Sequence, residues 1–168
     1  MPELESQRIL GIDPGSRATG YGVIAKKGNR LYYVTCGVIR LGDRHMFSDR
    51  LKIIFDCLCE VIENHRPTVA AVEDVFVAAN PRTALKLGHA RGVAVLAALH
   101  KNLAVHDYTP RMVKQAVVGY GNADKMQVQQ MVRVLLQLSA PPSSDAADAL
   151  AVAMCHANQN VVNEDSLK

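Results

Sequence analysis

The 168-residue sequence predicts an α/β fold: a mixed five-stranded sheet, made of a three-strand antiparallel meander plus two further strands, with helices on both faces. Three observations predict it. Three short runs rich in Val, Ile, Tyr and Leu open the chain, separated by turn signals. Segments of helical and strand periodicity then alternate, and the last third is helical.

Arg8 to Asp13, Thr19 to Lys26 and Leu31 to Arg40 form the meander, turned by Pro14-Gly15-Ser16 and Lys27-Gly28-Asn29. From Ser48 to His65, Leu51, Ile54, Phe55, Leu58, Val61 and Ile62 recur at three- and four-residue spacing. This is an amphipathic helix, stopped before Pro67. A buried strand follows over Thr68 to Val75. Asn80-Pro81 places a capping side chain before a good first helical residue and opens a helix to about His100. Leu103 to Tyr108 is the fifth strand. Thr109-Pro110 repeats the cap signal, the glycine-bearing segment Val118 to Ala123 interrupts, and Asp124 to Leu138 is helical until Pro141-Pro142. The last helix runs from about Ser144 to Ala157. One domain is expected over residues 1–160, with 161–168 a flexible C-terminal tail.

Composition narrows the class. The longest unbroken apolar run, Gly92 to Leu99, is well below the roughly 18 residues a membrane span needs. The polar start MPELESQR does not read as a signal peptide. Cys36, Cys57, Cys59 and Cys155 are too few and too irregular for a disulfide framework, which makes reduced thiols and the cytoplasm the expectation. Cys57 and Cys59 point to different helix faces and form no metal clip.

The net charge of +3 is unevenly spread. Residues 80–133 carry Arg82, Lys86, Arg91, Lys101, Arg111, Lys114, Lys125 and Arg133 against Asp107 and Asp124. Such a region is either a phosphate-binding surface or a set of solvated helix faces. In the helix after Asn80, the second half leaves little polar face, because Val93, Val95, Leu96 and Leu99 accompany a run of alanines. A single sheet covers one side of such a helix, so a second subunit is expected to cover another.

Four carboxylates carry the chemistry. Asp13 ends the first strand, Glu73 lies near the end of the fourth, and Asp145 and Asp148 share one face at the start of the last helix. Singly, each has an ordinary explanation, as a solvated strand end or an acid favoured by a helix dipole. Together they make an oxygen-rich set suited to Mg²⁺ or Mn²⁺. Two such ions about 4 Å apart can serve both oxygens exchanged in phosphodiester hydrolysis.

These residues resemble the RuvC family of Holliday-junction resolvases, within the ribonuclease H-like superfamily. The resemblance spans roughly Ile9 to His156 and is carried by an ordered series of motifs. The first are Gly11-Ile12-Asp13-Pro14-Gly15-Ser16, Thr19-Gly20-Tyr21-Gly22-Val23-Ile24 and Glu73-Asp74-Val75-Phe76. Ala84-Leu85-Lys86-Leu87-Gly88 follows with Ala90-Arg91-Gly92, then Val113-Lys114-Gln115 and Val117-Val118-Gly119-Tyr120-Gly121. Lys125 through Val128 and Asp145-Ala146-Ala147-Asp148-Ala149-Leu150-Ala151 complete the series. The resemblance implies a homodimeric, metal-dependent endonuclease that resolves four-way DNA junctions by paired symmetric nicks, with RuvA and RuvB as partners. It implies that Asp13, Glu73, Asp145 and Asp148 are catalytic metal ligands, with two Mg²⁺ per site and Mn²⁺ as a substitute. Lys125 would stabilise transition-state charge, and Lys114 and Lys125 would contact DNA or assist catalysis. Phe76 would stack at the junction core, although core packing accounts for it equally simply. Arg82, Lys86 and Arg91 join them as expected DNA contacts from the basic region. Asp74 has no assigned role. The competing expectations are another ribonuclease H-like nuclease, a non-catalytic junction-binding protein and a relative of the actin-like ATPases and sugar kinases. The last of these would need a second domain.

Overall fold

The computed structural model describes residues 6–43, 45–74 and 80–165. Strands β1 (Gln7–Asp13), β2 (Ala18–Lys27) and β3 (Arg30–Arg40) form the antiparallel meander. Strands β4 (Val69–Glu73) and β5 (Ala104–Tyr108) continue the sheet on the other side of β1 in parallel, which gives the order β3-β2-β1-β4-β5. The helices are α1 (Phe47–His65), α2 (Pro81–His100), α3 (Pro110–Val118), α4 (Lys125–Leu135) and α5 (Ser144–Asp165). All five strands and five helices match sequence expectations, with boundary changes of a few residues except at the end of α5.

Alternation along the strands assigns the helices to faces. Leu10, Ile12, Ala70 and Val72 point to one side and pack with Ile54 and Leu58 of α1 and Ala90, Ala94 and Ala97 of α2. Ile9, Val69 and Ala71 point to the other and pack with α3, α4 and α5 through Val113, Val128 and Leu150. The caps of α2 and α3 are those the sequence indicates, and α4 adds one that it did not. Asn80 accepts from the Thr83 amide at 2.9 Å, Thr109 from Met112 at 3.2 Å, and Asp124 exchanges two hydrogen bonds with Gln127 in a capping box. Gly119, at φ 103°, ends α3 in the left-handed region that favours glycine.

Helix α5 is the central packing element. From Ala149 to Ala157 every residue is buried, and it lies directly on β1 and β2. A Cβ on Gly11 would stand 2.0 Å from the Ala149 carbonyl oxygen, and one on Gly20 would stand 2.1 Å from that of Asp145. The two glycines therefore permit contact between backbones that any side chain would hold apart. The helix continues to Asp165 where the sequence suggested a stop near Ala157. Asn158 explains part of the extension, because its side-chain amide donates to the Ala116 carbonyl of α3 at 3.3 Å. The expected tail thus begins as helix, and residues 166–168 lie outside the described residues. The four cysteines are free, with Cys155 buried.

Candidate active site

Residue parity aims the strand acids. Asp13 shares its face of β1 with Ile9 and Gly11, and Glu73 shares its face of β4 with Val69 and Ala71, so both side chains point toward α5. Strands β1 and β4 are adjacent and parallel, which brings their C-terminal ends together. Helix α5 supplies the other half, since Asp145 and Asp148 lie on one face of its first turns. The result is convergence: oxygen atoms of Asp13, Asp145 and Asp148 all lie within 4.8 Å of one another. Glu73 joins them by lining the same cavity as Asp13 and Asp148, close enough to Asp13 to raise its carboxyl.

The turn leaving Asp13 is held by a side chain. The Thr19 hydroxyl is fully buried, donates to the Gly15 carbonyl at 3.1 Å and accepts from the Gly15 amide at 3.3 Å. Both backbone groups of that residue are thereby satisfied, and β2 is tied to the end of the acid-bearing strand.

Electrostatics sets the requirement of the site. Burial, reinforced by Glu73, Asp148 and Asp145, pushes the Asp13 carboxyl up to about 9. Burial also raises Glu73 and Asp148, with Lys125 and Lys114 pulling each of them back. Asp13, so crowded, holds its proton at neutral pH unless a cation replaces it. An all-oxygen donor set fits Mg²⁺ or Mn²⁺ by its chemistry and offers nothing to a thiophilic metal.

Asp13, Glu73 and Asp148 line a cavity of about 250 Å³ with Lys114 of α3 and Lys125 of α4. The Lys125 ammonium stands 3.8 Å from Asp148 and remains largely exposed. A larger depression of about 1210 Å³ lies beside the β2–β3 turn, with Lys26, Tyr33 and Leu135 on its walls. Among the described residues no carboxylate lines it, and its Lys26 wall stands opposite Gln7, six residues along β1 from Asp13.

The remaining expected DNA contacts separate from this group. Arg82 is exposed near the start of α2, and Lys86 lies 5.8 Å over the Phe47 ring. Neither lines the acidic cavity. Arg91 is engaged by the carboxylates of Asp74 and Asp107 and is not a freely available cation. Phe76 lies outside the described residues. Sequence reasoning missed Thr19, whose signal was a lone Thr after a Pro-Gly turn, and the Asp74–Arg91–Asp107 group, whose members lie far apart in the chain.

Known proteins resemble this chain over most of its length. Residues 9–156 match the family model described as crossover junction endodeoxyribonuclease RuvC. A protein of that description from Syntrophotalea carbinolica is 60% identical over 151 residues, 90% of this chain and 94% of that one. One from Citrifermentans bemidjiense is 56% identical over 155 residues, 92% and 94% of the two chains. The structure of Thermus thermophilus RuvC in complex with a Holliday junction substrate superposes with a TM-score of 0.88 at 35% identity, over 94% of this chain and 96% of that chain. The yeast mitochondrial resolvase Ydc2, at a TM-score of 0.61 and 12% identity, shares the fold. Matched over nearly its whole length in sequence and in structure, the chain belongs to the RuvC family of crossover junction endodeoxyribonucleases.

Proposed function

We propose that Asp13, Glu73, Asp145 and Asp148 are the catalytic carboxylates of this junction endonuclease and together hold two divalent cations, Mg²⁺ or in its place Mn²⁺. The observation that carries this reading is the convergence of three carboxylates from two strands and a helix within 4.8 Å, beside two lysines. Mutual repulsion makes such a group a poor structural device and a good cation site. Bound there, divalent ions supply Lewis-acid activation of water and neutralise charge on the scissile phosphate.

The chain's own residues supply the rest. Asp13 neighbours both Glu73 and the α5 pair and would hold a cation together with either. Lys125, exposed at the first position of α4, reaches the rim where a phosphate would sit and stabilises negative charge that grows during displacement. Lys114 adds positive charge from α3. The helix N-termini of α3 and α4 begin near the same cavity, with Pro110 and Lys125 on its wall, and their partial positive charge favours phosphate there.

A junction has approximate two-fold symmetry and is cut on two strands, so a dimer with one site per subunit suits it. Leu96 and Leu99 of α2 are 56% and 53% exposed. They form the face we assign to a second copy. Family resemblance adds RuvA and RuvB as partners. No helix among the described residues is long and apolar enough to cross a membrane, and with four free thiols this favours the cytoplasm.

Cleavage of a synthetic mobile four-way junction, a linear duplex and an RNA/DNA hybrid, each with Mg²⁺, tests the reading. Symmetric nicks are expected in the junction alone, and an Asp13→Asn protein is expected to bind it without cutting. Full activity of that variant, or equal cutting of the linear duplex, overturns the proposal.

A further inference from the structure

Glu73 and Asp74 are neighbours whose side chains leave opposite faces of the sheet. Glu73 points to α5, whereas Asp74 shares the parity of Val72 and points to α2. Asp107 lies in register with Val72 on the neighbouring strand β5, and so faces the same way. Between these two carboxylates stands Arg91 of α2. Its Nη2 donates to Asp107, and its Nε lies 3.5 Å from Asp74. That Nε is buried and has no hydrogen-bond partner among the described residues, so the Asp74 contact is an ion pair by distance alone. The backbone makes the same connection, because the Asp74 amide donates to the Tyr108 carbonyl at 2.8 Å.

We propose that Arg91 is a positioning residue for Glu73: by bridging Asp74 and Asp107 it clamps the end of β4 to β5 and sets where the neighbouring carboxylate enters the site. Three features support this over a DNA contact. The Arg91 side chain is only 23% exposed and is already matched by two acids. It leaves α2 on the face of the sheet opposite the acidic cavity. A planar guanidinium can serve two carboxylates at once, which a lysine ammonium cannot do with the same geometry. The clamp also gives Asp74 its role, which is to carry a fixing contact one residue from a ligand while pointing away from it.

The proposal rests on Glu73 belonging to the metal site, and the test separates the two ideas. Mn²⁺ is titrated by calorimetry into DNA-free protein, and junction affinity and single-turnover cleavage are measured beside it. The variants are Arg91→Met, Arg91→Lys, Asp107→Asn, the Arg91→Met/Asp107→Asn double variant and Glu73→Gln. Arg91→Met and Asp107→Asn are each expected to weaken Mn²⁺ binding and slow cleavage about 10-fold while leaving junction affinity unchanged. The double variant should be no worse than Arg91→Met alone, because both changes break one contact. Arg91→Lys should recover part of the loss. Asp107→Asn changes an exposed, isosteric group, so it keeps the test open if Arg91→Met does not fold. Tighter junction binding by Asp107→Asn would show an arginine released for phosphate and overturn the proposal. Lower thermal stability with unchanged Mn²⁺ affinity would overturn it too, by reducing the clamp to a structural contact. A Glu73→Gln protein that binds Mn²⁺ and cuts normally would remove the reading of the site itself, and the clamp's purpose with it.

Discussion

Asp13 is held where its charge is least welcome, in a partly buried position facing three other acids. The same placement that suits it to hold a cation makes it a burden on the metal-free protein. Asp13→Asn should therefore raise the thermal midpoint in chelator by about 2–4 °C, the shift that 1 kcal/mol produces in a domain of this size. Calorimetry with EDTA checks this, and a lower midpoint would contradict the repulsion argument. His156 gives a second prediction. It is buried, its Nδ1 shares a 2.6 Å hydrogen bond with the Tyr108 hydroxyl and its ring lies 4.7 Å from that of His106. Burial, then His106 and Lys26, lowers it to about 4 from 6.5. The unfolded chain binds that proton more readily, so stability present above pH 6.5 is lost as the pH falls toward 4. The advantage of wild type over His156→Gln should shrink through that window, as followed by thermal unfolding. At this scale the four acids were legible because each ends a strand or starts a helix in an otherwise apolar run. Arg91 was not. Its charge placed it with the DNA contacts, and only the parity of Asp74 and Asp107, set by strand pairing, shows that its partners are carboxylates.

Among the elements, α5 decides the geometry of the site. Adding one methyl group at Gly11 would push against the Ala149 carbonyl, a backbone atom that cannot rotate away. Gly11→Ala should cost about 1–3 kcal/mol of stability. It should also separate Asp13 from Asp148 and lower cleavage more than junction binding, as parallel unfolding, cleavage and binding measurements would show. Cleavage that followed the folded fraction alone would mean that the helix re-seats without moving the acids. Element identities were readable from periodicity and caps, with Asn80-Pro81 and Thr109-Pro110 each marking a helix start that the hydrogen bonds reproduce. The end of α5 was not readable. The sequence places its stop near Ala157, whereas the contact of Asn158 with α3 is a tertiary one. The close seat of α5 on β1 was likewise hidden, since a glycine in a strand can signal a bulge as readily as an approaching helix.

For the whole molecule, the same α2 that buries Ala90, Ala94 and Ala97 against the sheet exposes Leu96 and Leu99 to solvent. Replacing both leucines by Glu should yield a folded monomer by sedimentation and abolish paired nicking while permitting single nicks. A variant that still sediments as a dimer would place the interface elsewhere. The overall plan was legible as a meander followed by alternating elements, because parallel strands need crossover helices and the sequence supplies them. Strand order around β1 was not, since periodicity does not say which side of the meander receives β4. One consequence of the buried seat of α5 concerns how the molecule opens. Half of the proposed ligands ride on a helix whose backbone touches the strand carrying another, so these three cannot come apart without unseating α5. Amide hydrogens near the acids should then exchange only through global unfolding. Cation binding would in turn be felt across the entire fold, adding about 2.7 kcal/mol when the free ion is at 100 times its dissociation constant.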